Sequence, residues 1–344
     1  MNRRSQHAAG AGLKRFGGFV AGVAGLALVI ECAGCASSRP APLVIEHPLF
    51  AAPESDSRQD LSLKLVTYNI WGLPSWMTGA RSGRYPRIAR ELERLDPDVI
   101  LLQEAWTAKA RKSAPAYGHW SIARPAWQHT FFQQSGLMTL SRFPIIGGQF
   151  YPFSRAAFPD RFVNKGVLKT TVRLANGQVL NIWNVHLQEG GSAAIRFSQV
   201  RELVARVRDA QDGQVADVVA GDFNCTPDSP LYRELSEALG PSAQELSGNK
   251  PFVTWDALSR EVWAGETLDH IFVRRSSPFQ SVRANPHVAF SAARREDRLS
   301  DHFGIEAVLN LSTEPRLAGA IGPGFNSPAM LNVVPQDESD AGGD

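Results

Sequence analysis

The run Val218-Val219-Ala220-Gly221-Asp222-Phe223-Asn224 sets tight limits on any fold that contains it. Residues 217–220 are apolar on both faces, the pattern of a strand covered on each side. The strand is expected to stop at Gly221. Asp222 and Asn224 follow with one residue between them, and alternate residues of an extended chain share a face. A carboxylate and a carboxamide therefore leave the end of a buried strand together, a pairing suited to a hard cation and a phosphoryl oxygen. An Asp-x-Asn turn closing a core strand would read the same way, so the rest of the chain decides.

The same device recurs along the sequence. Residues 63–71 alternate and turn β-branched and aromatic, which predicts a strand with Asn69 at its end. A helix is predicted over 85–95 from the shared face of Ile88, Leu92 and Leu95, then a buried strand over 99–104 that ends in an acid. Strands are predicted over 136–141 and 145–151. Those over 165–174 and 179–187 flank Asn176-Gly177, a strong hairpin dipeptide. Val200, Leu203, Val204 and Val207 give 192–210 one apolar helical face, and Ser229-Pro230 opens a short helix that Gly240 ends. The last strands are expected over 268–273 and 303–311. Asn69, Glu104, His186, Asp222 with Asn224, and Asp301-His302 thus stand at strand ends, with Asp269 inside a sixth strand. Singly each has an ordinary explanation as a turn, a cap or a satisfied core histidine. Together they read as a site built at one end of an α/β scaffold.

Hairpins mixed with crossovers predict an α/β (α+β) fold, a two-layer β-sandwich of mainly antiparallel sheets with flanking helices. Residues 1–34 read as an export signal: Arg3 to Arg15 is basic, 16–30 is apolar, and Ala33-Gly34 is small. The apolar run is shorter than the ~20 residues that span a bilayer. Ala33-Gly34-Cys35 resembles a bacterial lipobox, from which Cys32 and Glu31 depart. Cys35 is then the lipidated residue, 35–60 a flexible tether, 61–312 the catalytic domain and 313–344 a disordered tail. The expected location is a membrane-anchored lipoprotein at the periplasmic or outer-membrane face, otherwise secreted. With Cys35 acylated, Cys225 is left as a free thiol and no intrachain disulfide can form. Residues 1–34 carry Arg3, Arg4, Lys14 and Arg15 against Glu31, so their removal turns the formal charge of +2 slightly negative. That weighs against a protein gripping long nucleic acid through its phosphates.

Six motifs also fall in one order: Thr67-Tyr68-Asn69-Ile70, Leu102-Gln103-Glu104, Asn184-Val185-His186-Leu187, Gly221-Asp222-Phe223-Asn224, Leu268-Asp269-His270-Ile271 and Ser300-Asp301-His302-Phe303-Gly304. Over 63–311 the chain resembles the endonuclease/exonuclease/phosphatase superfamily. The resemblance implies a DNase I-like two-sheet sandwich and Mg²⁺-dependent phosphoester hydrolysis, with Mn²⁺ or Co²⁺ as other candidate ions. Within the superfamily, Asn69-Ile70-Trp71-Gly72-Leu73-Pro74 and Glu104-Ala105-Trp106 are similar to motifs of the neutral sphingomyelinases. Asp160-Arg161-Phe162-Val163-Asn164-Lys165-Gly166 resembles the segment in which their Asp and Lys form an activity-linked pair. The plain alternative for Asp160 and Lys165 is two solvated charges at a loop-to-strand junction.

The residue types and the resemblance together assign roles. Glu104 and Asn69 offer oxygens to the metal, with Asp301 in its outer shell. His302 is the candidate base, since imidazole titrates near neutrality, and Asp269 matches the family residue that fixes its tautomer. His186 and Asn224 would donate to the phosphate and Asp222 would orient the water or leaving group. His270 should face the opposite way, and His119, His129 and His287 fall on no motif. Trp71, Trp76, Met77, Trp127, Phe131 and Phe132 pack the core or form a rim that enters a lipid head-group layer. The implied activity is cleavage of sphingomyelin to ceramide and phosphocholine by a monomer at a membrane surface. Its rivals are a secreted endonuclease, with Arg294, Arg295 and Arg298 lining the cleft, and an inactive lipid- or protein-binding module.

Overall fold

The computed structural model describes residues 41–46, 60–74, 83–115, 120–125, 134–210, 215–248, 250–256, 265–274, 281–290 and 297–312. The expected signal, Cys35, the C-terminal tail, Trp76, Met77, His119, Trp127, His129, Phe131, Phe132, Arg294 and Arg295 lie outside them.

The chain opens with β1 (Leu43–Glu46), β2 (Asp60–Asn69), α1 (Arg84–Leu95), β3 (Val99–Gln103) and β4 (Ser121–Pro125). It continues through β5 (Met138–Ser141), β6 (Ile145–Pro152), β7 (Gly166–Arg173), β8 (Val179–His186), α2 (Ala193–Asp209) and β9 (Ala216–Asp222). Last come α3 (Pro230–Leu239), α4 (Ala243–Ser247), β10 (Asp269–Val273), β11 (Ser281–Ala289) and β12 (Gly304–Ser312). One sheet has the order β1-β4-β5-β3-β2-β12-β11 and the other β10-β9-β8-β7-β6. Only β2–β3 and β8–β9 pair in parallel among the described strands. The predicted two-layer sandwich is therefore the observed architecture.

Strand alternation explains the layering. Leu63, Leu65, Val99, Leu101, Leu180, Ile182, Val218, Ala220, Ile271, Ile305, Ala307 and Leu309 fill the space between the sheets. Each fully buried Leu or Ile there contributes about 1.5–3 kcal/mol. The alternate residues face outward and are covered by helices. Ile88 and Leu92 of α1 cover Tyr68, Ile100 and Leu102, while α2 and α3 cover Trp183, Val219 and Phe272. The helix ends follow their sequence signals: Ser229 caps α3 ahead of Pro230, and Ser242 with Glu245 forms a capping box on α4.

Several expectations are corrected here. Leu43–Glu46, inside the expected tether, pairs with β4 as an edge strand. The segments of β4 and β11 carried too little alternation to be read from sequence, and β11 holds Pro286, which an edge strand tolerates. β9 does not stop at Gly221 but runs on to Asp222. A Cβ at Gly221 would lie 2.0 Å from Val185 O, so glycine lets β9 lie against β8 at this rung. Asp269 is the first residue of β10 rather than an interior one.

Candidate active site

The core-facing parity that builds the sandwich also builds the site. Leu63, Leu65, Thr67 and Asn69 share one face of β2; Leu180, Ile182, Asn184 and His186 share one face of β8; Val218, Ala220 and Asp222 share one face of β9. In each strand the side chains turn polar where the sandwich reaches its rim. Register then sets the neighbours: His186 pairs with Asp222 across β8–β9, and Asp222 pairs with Asp269 across β9–β10. Three site residues thus form one row across the second sheet. Because β10 runs antiparallel to β9, it reaches this rim at its first residue.

Asn69 joins the two sheets at that row. Its Nδ2 donates to Asp222 Oδ2 at 2.9 Å and to Glu104 Oε1 at 3.2 Å. Glu104 follows β3 at φ 59, and the turn after Asn69 packs closely on it: a Cβ at Gly72 would lie 1.9 Å from Glu104 O. Glu104 Oε2 is buried with no hydrogen-bond partner among the described residues. Burial, and after it the charge of Asp301, push the Glu104 carboxyl up to about 7. Asp301 is buried as well, with Trp255 Nε1 donating to it at 3.4 Å.

His302 Nδ1 donates to Asp269 Oδ2 at 2.8 Å, and its Nε2 faces Asp222 Oδ2 at 3.6 Å. Burial works against the imidazolium, but Asp269 and Asp222 outweigh it and raise His302 to about 10. His186 Nε2 stands 3.5 Å from the same Asp222 oxygen, and burial with the nearby Lys165 charge holds its pKa well below the usual value. Asp222 Oδ1 accepts from Asn224 N at 3.0 Å, and burial raises its pKa. Asn224 Nδ2 donates to Leu187 O at 3.0 Å. The structure therefore brings Asn69, Glu104, His186, Asp222, Asn224, Asp269, Asp301 and His302 to one rim.

His270 points to the other face as expected. It packs against Tyr232, Phe223 and Phe272, its Nε2 donates to Cys225 O at 2.8 Å, and burial lowers it to about 4. His287 is exposed on β11, near Glu306.

The Asp160–Lys165 pair is not solvated. Both side chains are nine-tenths buried or more, at 2.8 Å. Lys165 also donates to Leu187 O, while Asp160 Oδ2 accepts from Glu189 N at 2.7 Å. Burial opposes the ammonium, but Asp160, Glu189 and Glu104 raise the Lys165 pKa. The segment folds back over the end of β8, and sequence separation hid that. Sequence reasoning also missed Thr254, whose hydroxyl accepts from Asp269 N at 3.1 Å, and Glu189, whose charge reaches Glu104 and Lys165. Neither belongs to a motif; Glu189 lies three residues after His186, the one signal available.

Two kinds of subsite can be read in this geometry. Donor atoms of Asp222, Asp269 and His302 lie within 4.8 Å of one another, as a metal cluster would. His302 already takes one oxygen of Asp269, although Asp269 Oδ1, like Glu104 Oε2, is buried with no hydrogen-bond partner among the described residues. What sets Glu104 apart is the charge of a second carboxylate, Asp301, beside it. An unmet buried carboxylate is costly, and an all-oxygen donor set suits a hard cation. The Glu104 side therefore fits a divalent cation, and the Asp269–His302 side fits proton handling.

Fold and site define a two-sheet α/β sandwich with carboxylates, amides and imidazoles gathered at one rim. The profile of the endonuclease/exonuclease/phosphatase family matches residues 66–302, and the chain belongs to that family. It is 28% identical over 280 residues to a Drosophila melanogaster protein assigned as a neutral sphingomyelinase, covering 74% of this chain and 62% of that one. It is 24% identical to an inositol phosphosphingolipids phospholipase C of Schizosaccharomyces pombe, covering 74% of this chain and 69% of the other. Against a sphingomyelinase C of Leptospira interrogans identity is 25%, over 79% of this chain and 55% of that one. The chain thus spans little more than half to two thirds of the length of these relatives. Among solved structures, a mutant of Staphylococcus aureus beta toxin with bound magnesium ions superposes at TM-score 0.56 with 20% identity, covering 74% of this chain and 100% of that one. D. rerio TDP2 with a single-strand DNA product gives 0.58 at 18% identity, covering 72% and 99%. Both likenesses are of fold.

Proposed function

We propose that this chain is a divalent-cation-dependent phosphodiesterase that cleaves sphingomyelin to ceramide and phosphocholine. The observation that carries the reading is the single rim on which Glu104, with its unmet buried oxygen, stands close to the Asp269–His302 pair. Glu104 and Asn69, with Asp301 behind them, would hold Mg²⁺, or Mn²⁺ or Co²⁺ in its place. When bound, that ion supplies neutralising charge at the phosphoryl oxygens and a lowered pKa for water.

The chain's own residues divide the remaining work. Asp269 fixes the His302 tautomer with Nε2 directed at Asp222. With both carboxylates ionised His302 holds its proton to about pH 10. Compensating the charge on Asp222 removes one of the two attractions and returns Nε2 toward the neutral form that accepts a proton from water. His186 stays neutral near pH 7 and, with the free Asn224 amide hydrogen, is available to donate to a phosphoryl oxygen as charge develops. Asp222 lies between the two imidazoles, where it can orient the water or the leaving group.

Three observations support a lipid rather than a polynucleotide. The relatives covering most of this chain are named for sphingolipids. The chain without 1–34 is nearly neutral, where phosphate-tracking sites are basic. Arg298, the described member of the arginine group expected of a nuclease, is held by Asp256 at 2.7 Å. The test offers sphingomyelin vesicles, phosphatidylcholine vesicles and single-stranded DNA to purified residues 36–344 side by side. Phosphocholine should appear from sphingomyelin fastest. Rapid DNA cleavage with sphingomyelin untouched would refute the substrate assignment.

A further inference from the structure

Arg84 is the first residue of α1, preceded by Gly83 with no side-chain cap. A cation at that end opposes the helix dipole, so local helix stability gives no reason for an arginine there. The side chain leaves the helix and is buried beneath the site, at 6% exposure. Nη1 donates to Ile70 O at 2.5 Å and to Leu299 O at 2.7 Å, and Nη2 donates to Trp71 O. The guanidinium carbon lies 4.5 Å from the Tyr85 ring and 5.7 Å from the Trp71 ring. None of the ion pairs among the described residues includes Arg84.

A buried guanidinium without a carboxylate is costly unless its donors are met, and here carbonyls of two separate segments meet them. Ile70 and Trp71 directly follow Asn69. Leu299 directly precedes Ser300-Asp301-His302. A second tie joins the same two segments: Ser300 Oγ donates to Asn69 O at 2.8 Å and accepts from His302 N at 3.3 Å. We propose that Arg84 is a positioning residue that locks the Asn69 turn to the 299–302 segment and so sets Asn69 and His302 at their working separation. Its catalytic consequence rests on the phosphodiesterase reading above. Lysine cannot stand in, because a point ammonium lacks the planar fork that spans these carbonyls.

The experiment compares wild type, Arg84→Lys and Arg84→Ala by proton NMR and by sphingomyelin turnover. Two N–H signals serve as reporters. The His302 Nδ1–H donates to Asp269 within the site, and the Trp183 Nε1–H donates to Asp217 at 2.8 Å on the outer face of the second sheet. In Arg84→Lys the Trp183 signal should stay and the His302 signal should shift or vanish. The kcat should fall about 10²-fold, the scale of a small misplacement of reacting groups, with KM within about twofold. Adding guanidinium ion at millimolar level to Arg84→Ala should recover part of both the signal and kcat. Wild-type kcat with an unmoved His302 signal in Arg84→Lys would overturn the proposal. So would loss of both N–H signals in that variant, since a general folding role would then explain the residue. If wild type cleaves no sphingomyelin while the His302 signal still follows Arg84, the positioning role stands and the proposed activity fails.

Discussion

Glu104 shows how a residue costly to the fold can suit the proposed cation site. Its carboxyl is raised to about 7, first by burial and then by Asp301. An acid whose folded pKa exceeds its unfolded value near 4.3 binds its proton more tightly when folded. Its effect on stability therefore turns unfavourable as pH rises through about 4 to 7 and stays so above. His302 acts in the same direction higher up: its contribution is complete below the unfolded value near 6.5 and is lost as pH rises through about 10. Without a bound cation, these two contributions both fall as pH rises, while His186 and His270, whose pKa values are lowered, act the other way below about pH 6.5. Glu104→Gln removes the lower part of that slope while keeping a partner for Asn69. Urea unfolding in excess chelator should show Glu104→Gln more stable than wild type at pH 8.5, by on the order of 1–3 kcal/mol, with little difference near pH 4. The same variant should lose turnover. A variant less stable than wild type at pH 8.5 would show that Glu104 is not the strained acid described here.

At the scale of elements, what was legible in the sequence is what period and parity encode. Buried apolar runs gave β2, β3, β8 and β9, and the polar residue ending each run gave Asn69, Glu104, His186 and Asp222. Alternation does not carry the spatial sense of a strand, so the expectation of Asp269 inside a strand differs from β10, which begins with it. Short edge segments such as Leu43–Glu46 were lost for want of alternation. The loop before β7 is the least legible in sequence, because burial of charge is a tertiary property. Ser154 Oγ donates to Glu202, Arg155 O accepts from Gln199, Ala157 N donates to Gln188, and Asp160 accepts from Glu189 N. These ties seat Asp160 and Lys165 against the end of β8. An exposed pair would contribute about 0–1 kcal/mol, whereas stripping one partner from a buried pair costs about 3–5 kcal/mol. Lys165→Ala should therefore lower the unfolding free energy by that larger amount, seen as a lower urea midpoint at unchanged m-value, and adding Asp160→Asn should recover part of it. A loss below about 1 kcal/mol would mean that the pair is solvated in solution.

For the whole molecule, two sheets each bring the polar ends of apolar strands to a common rim, and helices cover their outer faces. The site is a continuation of the core, not a loop graft, which is why so much of it could be read from strand patterning. Family membership and the sphingolipid names of its relatives narrow the chemistry, and the rim's acids and imidazoles supply the means. The most direct measurement is phosphorus NMR of sphingomyelin vesicles with purified residues 36–344, with Mg²⁺ present, then removed by chelator, then restored. Phosphocholine should form with Mg²⁺, stop on chelation and resume on restoration, while His302→Ala stays inactive throughout and retains its fold. Undiminished release in excess chelator, or from folded His302→Ala, would contradict the account.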